Sequence, residues 1–276
     1  MLVTRTPALR SRYPMSETAP LAMITGASSG IGREISAEFA RLGYRTFLTG
    51  RDEARLNEVA LELGKKFGTE SYVQCADLAN GNDREKLVEK AAELAPNVLV
   101  NNAGFGVKGV FSETSLSAEL DMIEVQIAAM LALTKAVLPG MKIRKEGLIL
   151  NVASVYSFSP VPQQAAYAAA KSFIFSFSTS LRDELKADGI MVSVLAPGIT
   201  QTEFRARAGI PDMKDSGMSA CEVARIGVGQ ALKGKPLIVP GWQNKLFVFL
   251  VRHFPVDLSI ALINLINSKR GVRTKT

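Results

Sequence analysis

Short apolar runs and helical patterns alternate along the chain between residues 21 and 240. Residues 21–24 form the first apolar run, which is typical of a buried parallel strand, and from 31 to 42 apolar positions recur at helical spacing. Further strands are predicted at 44–49, 71–75, 97–100, 148–152, 191–195 and 237–239, and further helices at 52–67, 83–94, 118–144 and 163–187. The alternation predicts an α/β fold: a single doubly wound Rossmann-type domain with a mostly parallel seven-stranded sheet flanked by helices.

The segment 21–240 contains no linker, internal repeat or low-complexity run, so we expect it to form one domain. It leaves an N-terminal extension at 1–20 and an apolar, basic, helical extension at 241–276. In doubly wound sheets, ligands bind beyond the carboxyl ends of the strands. Candidate functional residues occur at these places, since each of the following comes after a predicted strand: Gly26, Arg51, Asp77, Asn102, Ser154 and Pro197.

The 276-residue chain has a net charge of +7, and the excess lies in the two terminal segments. Residues 241–276 carry six basic and one acidic residue, whereas 21–240 carry equal numbers of each. The domain therefore lacks the basic surface of a nucleic-acid-binding protein, and the tails lack a recognisable binding motif. We expect no nucleic-acid partner, although the tails could contact an anionic surface.

Cysteine and histidine are scarce in this chain. The two cysteines, Cys75 and Cys221, do not suggest a disulfide framework, which fits a reducing compartment and predicts a cytoplasmic protein. The single histidine, His253, is far from both motifs described below. This excludes a histidine-dependent triad and a multi-histidine metal site, and we expect no metal.

Residues 1–20 are basic and lack the apolar run of a secretory signal. We expect a short disordered extension, with Met15 as an alternative start. A transit peptide is the other interpretation, since Arg5, Arg10 and Arg12 stand among few acids.

A glycine-rich turn, T-G-A-S-S-G-I-G at residues 25–32, follows the first predicted strand and opens the first helix. Glycines let the backbone approach a pyrophosphate closely, and a helix start offers free N–H groups and a positive dipole end. Taken alone, the segment is also compatible with an ordinary turn between strand and helix.

A second motif decides between these interpretations. Ser154 precedes Tyr167 by thirteen residues, and Lys171 follows Tyr167 by four. Together with the glycine turn, this set resembles the short-chain dehydrogenase/reductase family over roughly residues 20–240. The resemblance implies hydride transfer between a nicotinamide cofactor and a carbonyl or alcohol.

The three residues suit that chemistry. Reduction places negative charge on the carbonyl oxygen, so a proton must be supplied and the oxygen must be held. Tyr167 and Lys171 lie on one helix face, and an ammonium is expected to lower the pKa of a neighbouring phenol. Ser154 can donate to the substrate oxygen. Tyr156, which lacks a lysine four residues on, is not expected to be the acid.

The resemblance also implies a set of cofactor-binding residues. They are Thr25, Gly26, Ser28, Ser29, Gly30, Ile31, Gly32, Arg51, Asp77, Leu78, Asn102, Ala103, Gly104, Tyr167, Lys171, Pro197, Gly198, Ile199 and Thr202. Asp77 resembles the family's adenine-contacting acid and also suits a helix cap. In NAD enzymes an acid usually ends the second strand, whereas here Gly50 and Arg51 stand there. A guanidinium suits a 2′-phosphate, so we expect NADP(H) in preference to NAD(H).

Gln126 departs from the family pattern. The family commonly has asparagine at this position, as a fourth catalytic residue that holds a proton-relaying water. Glutamine carries the same amide on a longer stem. Gln126 is therefore a candidate fourth catalytic residue. The replacement of asparagine by glutamine puts this catalytic role in question.

The C-terminal extension contains two apolar runs, 246–251 and 258–266, followed by basic residues. Each run is far shorter than the ~20 residues that span a bilayer. Three interpretations remain open: docking on the domain or on a second subunit, a wall over a hydrophobic substrate, or an interfacial membrane anchor.

The predicted function is NADP(H)-dependent interconversion of a carbonyl, a ketone or aldehyde, and an alcohol. The expected partners are a small apolar substrate and further copies of the chain. The alternative is a cofactor-binding sensor or scaffold with little catalysis. Only the presence of Gln126 in place of the family's catalytic asparagine supports it.

Overall fold

The computed structural model describes residues 19–204, 208 and 217–269. The predicted extension at 1–20 therefore lies almost entirely outside the described residues. The strands are β1 Leu21–Thr25, β2 Arg45–Gly50, β3 Ser71–Cys75, β4 Val98–Asn101, β5 Gly147–Val152, β6 Ile190–Leu195, β7 Thr200–Gln201, β8 Met218–Ser219 and β9 Leu237–Ile238.

The α-helices follow the strands in alternation. They are α1 Gly30–Arg41, α2 Glu53–Phe67, α3 Gly81–Leu94, α4 Leu116–Ile123, α5 Ala129–Arg144, α6 Ala165–Glu184, α7 Ala220–Ala231, α8 Trp242–His253 and α9 Val256–Lys269. A π-helical turn, Glu124–Ala128, joins α4 to α5, and a 3₁₀ turn, Val155–Phe158, follows β5.

Seven strands form one parallel sheet in the order β3-β2-β1-β4-β5-β6-β9. The strand order reverses between β1 and β4, which is the place where doubly wound sheets open a ligand crevice. This confirms the predicted fold class. The ends of the sheet strands differ from the predicted ones by at most one residue. The sequence did not predict α7 or the two-residue pairing of β7 with β8.

Alternate residues of each strand supply two cores, one on each face of the sheet. Ala22 and Ile24 of β1 pack with α1, α2 and α7, whereas Leu21 and Met23 pack with α3, α5 and α6. Because both faces of the sheet are covered by helices, successive side chains of a central strand such as β1 are all buried, and residues 21–24 form an unbroken apolar run. The polar residues that end each strand are left at one edge of the sheet.

One helix in the described part of the chain, the continuous Leu116–Arg144, is long and apolar enough to cross a membrane by length and composition alone. It lies against the sheet, where Leu133 and Val137 are fully buried in the core. This is the position of a core helix in a doubly wound fold.

Candidate active site

A large cleft of about 1690 Å³ opens along the carboxyl ends of the strands. Pockets for one drug-sized molecule measure roughly 300–1000 Å³, so this cleft has room for a dinucleotide and a substrate together. Every predicted site residue lines the cleft except Thr25 and Gln126. The structure thus brings together the glycine turn and the Ser154, Tyr167 and Lys171 set, which are far apart in sequence.

The glycine turn has the geometry of a phosphate cradle. Gly26 and Gly30 adopt φ values of +65° and +55°, which side-chain-bearing residues rarely adopt. A Cβ on Gly32 would overlap the carbonyl group of Gly26 and the side chain of Asn102. Ser29, the N-cap residue of α1, makes no side-chain cap hydrogen bond, and the first turn of the helix holds no acidic residue. The protein's own carboxylates therefore leave the N–H groups at the start of α1 unoccupied. These residues fit a dinucleotide pyrophosphate.

Thr25 supports the cradle from behind. Its hydroxyl donates to the Val100 carbonyl at 3.3 Å and accepts from the backbone N–H groups of Asn102 and Ala103 at 3.0 Å. The Asn102 amide donates back to the carbonyls of Thr25 and Gly26 at 2.9 and 3.2 Å. The cofactor-binding role of Thr25 stays a prediction. In this structure its side chain fixes the β1 and β4 loops to each other.

Ser154 stands at the end of β5, where it caps the following 3₁₀ turn. Its Oγ accepts from the Tyr156 N–H at 3.2 Å, and its own N–H donates to Ser157 Oγ at 3.3 Å. The Val155 N–H donates to the Pro197 carbonyl at 3.0 Å, which ties this turn to the loop after β6. The Ser154 side chain is therefore held by local hydrogen bonds at the cleft wall.

Tyr167 and Lys171 are both buried on the cleft side of α6. Lys171 Nζ donates to the Val152 carbonyl at 3.0 Å and lies 5.7 Å from the centre of the Tyr167 ring. Burial lowers the pKa of Lys171 to about 7. Burial also raises the pKa of Tyr167 above its ordinary value, and a hydrogen bond with Ser154 offsets this rise only in part.

The predicted lowering of the Tyr167 pKa by Lys171 is therefore wrong for this structure. A charged phenolate in a buried site loses its hydration, and the hydrogen bond with Ser154 does not make up for that loss. The phenol remains protonated through the neutral range, which is the form that can give a proton to a carbonyl oxygen.

Arg51 lies exposed at the rim of the cleft, directly after β2. Among the described residues its guanidinium forms no ion pair, whereas Arg55, one turn further on, pairs with Glu203 at 2.9 Å. Asp77 also lines the cleft, and its carboxylate accepts from the Ala79 N–H at 3.0 Å. The helix-cap interpretation of Asp77 is wrong, because Asn80 caps α3.

The segment after β6 forms the facing wall. Pro197, Gly198 and Ile199 line the cleft, and the methyl group of Thr202 lies 3.1 Å from where a Cβ on Gly30 would stand. Thr202 Oγ1 accepts from the Phe204 N–H at 3.3 Å. This wall therefore lies close to the glycine turn.

Gln126 lies on the π-helical turn and is 2% exposed. Its amide donates to the Phe105 carbonyl at 3.0 Å, and its stem packs against Gly104. It borders a separate small cavity of about 10 Å³, large enough for at most one water, rather than the main cleft. Its proposed catalytic role stays a prediction, and in this structure the side chain supports the loop after β4.

Replacing Gln126 with asparagine should therefore affect stability more than chemistry. The shorter stem withdraws from Gly104 and loses the hydrogen bond to Phe105, which together cost about 1–2 kcal/mol. We expect a lower melting temperature and a turnover rate within a few-fold of the unmodified protein. A large loss of rate at unchanged thermal stability would instead give Gln126 a part in the chemistry.

Several cleft residues were not found from the sequence. Tyr156 lines the cleft beside Ser154, and Gln163, held at a φ of +63°, forms part of the rim. From the C-terminal extension, Trp242 and Phe247 of α8 and Ile263 of α9 complete one wall. The apolar runs at 246–251 and 258–266 were the only signal for this wall, and they did not show which face points inward.

No group of three or more potential metal ligands occurs within residues 19–204, 208 and 217–269. Both cysteines are free and exposed.

Comparison with known proteins agrees with this geometry. The chain matches the family model for short chain dehydrogenase over residues 20–211. It is 33% identical over 236 residues to a very-long-chain 3-oxoacyl-CoA reductase of Laccaria bicolor, covering 82% of this chain and 69% of that protein.

Two solved structures are similar over most of the chain. A short-chain dehydrogenase from Sphingobium yanoikuyae in complex with NADPH has a TM-score of 0.78 at 28% identity, covering 93% of this chain and 97% of that one. A bulky-bulky ketone specific alcohol dehydrogenase from Comamonas testosteroni has a TM-score of 0.73 at 25% identity, covering 93% and 96%. With the family model matched over most of the fold and the glycine turn facing Tyr167 across one cleft, the chain belongs to the short chain dehydrogenase family of nicotinamide-dependent oxidoreductases.

Proposed function

We propose that this protein is an NADP(H)-dependent reductase of bulky, apolar ketones or aldehydes, which also catalyses the reverse oxidation. The observation that carries the proposal is the convergence of Ser154, Tyr167 and Lys171 at the inner end of a cleft whose other end is the glycine turn. The bound nicotinamide cofactor would supply or accept the hydride.

The chain's own residues handle the proton and the oxygen. Tyr167, protonated because burial raises its pKa, gives its proton to the oxygen as negative charge develops there. Ser154 donates a hydrogen bond to the same oxygen and holds the carbonyl in place. Lys171, with a pKa of about 7, accepts and returns protons near neutral pH. It would also hold the ribose of a bound cofactor.

The preference for NADP(H) rests on charge at the end of β2. Gly50 stands where an acid would repel a 2′-phosphate, and Arg51 is exposed beside it at the cleft rim. The similar Sphingobium yanoikuyae structure holds NADPH, which supports the same choice here.

The apolar substrate class rests on apolar side chains that line the cleft. They include Trp242, Phe247 and Ile263, and the Phe204 ring lies 5.9 Å from the Tyr167 ring. Aromatic and aliphatic walls with few polar groups select apolar ligands. The relatives named for a very-long-chain 3-oxoacyl-CoA and for a bulky ketone are consistent with this class.

We also propose that the protein acts in the reducing cytoplasm, because its two cysteines are unpaired and exposed. Assembly into a homo-oligomer is supported by exposed Leu116 and Leu120 on α4 and by Phe173 on α6.

A panel of carbonyl compounds graded by size and polarity tests the function directly. NADPH absorbance should decrease with bulky apolar ketones or aldehydes and much less with small polar ones. Tight NADPH binding without turnover of any carbonyl would favour the alternative function, a cofactor-dependent sensor or scaffold.

The raised pKa of Tyr167 predicts the pH dependence of the reverse reaction. Oxidation of an alcohol needs the phenolate, whose small population grows tenfold per pH unit below the pKa of the phenol. The oxidation rate should therefore increase about tenfold between pH 7 and pH 8. A plateau in this range would show that Lys171 has already lowered the Tyr167 pKa, as the sequence alone suggested.

A further inference from the structure

The outer face of α8 is apolar although it lies in solvent. Trp242, Leu246 and Phe249 recur at intervals of four and three residues and therefore form one row on the helix. Their side chains are 72%, 49% and 58% exposed. A surface helix ordinarily turns its polar side outward, so this row is an unusual feature.

Packing on the domain determines which face of α8 is exposed. Val248 and Val251 on the inner side are buried. The Arg252 guanidinium lies 5.7 Å from the Phe158 ring and 5.9 Å from the Phe175 ring, which attaches the end of the helix to the 3₁₀ turn and to α6. The apolar row thus faces away from the domain.

The neighbouring helix adds to this apolar surface. Phe254, Val256, Leu258 and Leu265, at the corner and along α9, are all about half exposed. Of the fifteen exposed large apolar side chains in the described part of the chain, seven lie between Trp242 and Leu265. Such a concentration is typical of an interaction surface.

The charges beside the row are positive. Lys245 flanks it, and the sequence of α8 contains no acidic residue. Residues 241–276 contain six basic residues and one acidic residue, Asp257, whereas the domain at 21–240 has equal numbers of basic and acidic residues. An anionic surface complements this combination of apolar and basic side chains, whereas two copies of the same face would bring like charges together.

We propose that the outer face of α8, with the adjoining corner of α9, docks the protein on the surface of a membrane that contains anionic lipid. Tryptophan and phenylalanine enter the boundary between headgroups and acyl chains, and Lys245 contacts the phosphates. With twelve and fourteen residues, α8 and α9 are too short to span a bilayer, so the contact is peripheral.

The docking face is continuous with the cleft. Trp242 belongs both to the exposed row and to the cleft wall, and Phe247 and Ile263 line the cleft from the same two helices. An apolar carbonyl dissolved in the bilayer would therefore meet the cleft without crossing water. The delivery of substrate from the bilayer to the cleft rests on the proposed function, whereas the docking on the membrane does not.

Flotation of the full chain with lipid vesicles tests the docking. Vesicles of phosphatidylcholine with phosphatidylserine are compared with vesicles of phosphatidylcholine alone. The test variant is Leu246→Glu with Phe249→Glu, two residues outside the cleft. The matched control is Leu61→Glu with Ile143→Glu, which adds the same charge at exposed apolar positions on α2 and α5.

The unmodified protein should float with the anionic vesicles, and added salt should weaken its binding. The test variant should lose at least about tenfold in partitioning, because apolar area leaves the interface and charge enters it, while the control pair binds like the unmodified protein. Both variants should reduce a bulky apolar ketone, supplied in solution without vesicles, at the unmodified rate, which separates docking from catalysis.

Three results would overturn the proposal. One is an unmodified protein that stays in the aqueous phase with both vesicles, and another is an equal loss of binding in the test and control pairs. The third is sedimentation showing that the test variant dissociates an oligomer while vesicle binding is unchanged, which would make α8 a subunit interface. Absence of ketone reduction by the unmodified protein would contradict the proposed function alone.

Discussion

Tyr167→Phe should lower the turnover rate by roughly 10²- to 10⁴-fold while the protein still binds NADPH. Phenylalanine keeps the ring that packs near Phe204 and under Lys171, so the wall of the cleft is preserved. It removes only the hydroxyl, which carries the transferred proton and the hydrogen bond with Ser154. Losing that hydrogen bond costs about 1 kcal/mol of stability, so the variant should remain folded.

Tyr156 provides the matched control. It lines the same cleft within two residues of Ser154, yet it has no lysine one helical turn further on. Tyr156→Phe should keep most of the activity. Single-turnover measurements with saturating NADPH would separate the chemical step from cofactor binding. Equal losses in the two variants would place the proton donor elsewhere, and loss of NADPH binding in Tyr167→Phe would show that the ring was disturbed.

The positions of Ser154, Tyr167 and Lys171 could be predicted from the sequence because they depend on where a strand ends and the next helix begins. Ser154 follows an apolar run that can only be a buried strand, and Tyr167 and Lys171 share one face of the next helix. The ends of parallel strands meet at one edge of a sheet, so the spacing alone places these residues near the glycine turn. The pKa of Tyr167 could not be read in this way, because its direction depends on burial by residues distant in sequence.

Two other features required the structure because the local pattern misleads. The π-helical turn at Glu124–Ala128 adds a residue to one turn and changes the direction of Gln126, so regular helical spacing does not place its side chain. In α8, apolar residues occupy both the inner and the outer face, so periodicity gives no inward direction. Only the buried Val248 and Val251 show that Trp242, Leu246 and Phe249 face outward.

Arg51→Ala should raise the Michaelis constant for NADPH roughly 10- to 150-fold, because a charge-assisted contact to phosphate contributes about 1.5–3 kcal/mol. The constant for NADH should change little, since NADH has no 2′-phosphate. Arg55→Ala is the control, because Arg55 carries the same charge one turn away but is paired with Glu203. If the two variants lost NADPH affinity equally, the effect would be general electrostatic attraction to the rim. If the unmodified protein used NADH and NADPH with equal efficiency, Arg51 would have no part in cofactor choice. A loss of NADPH affinity in Arg51→Ala alone, with NADH affinity unchanged, locates the recognition of the 2′-phosphate at the end of β2.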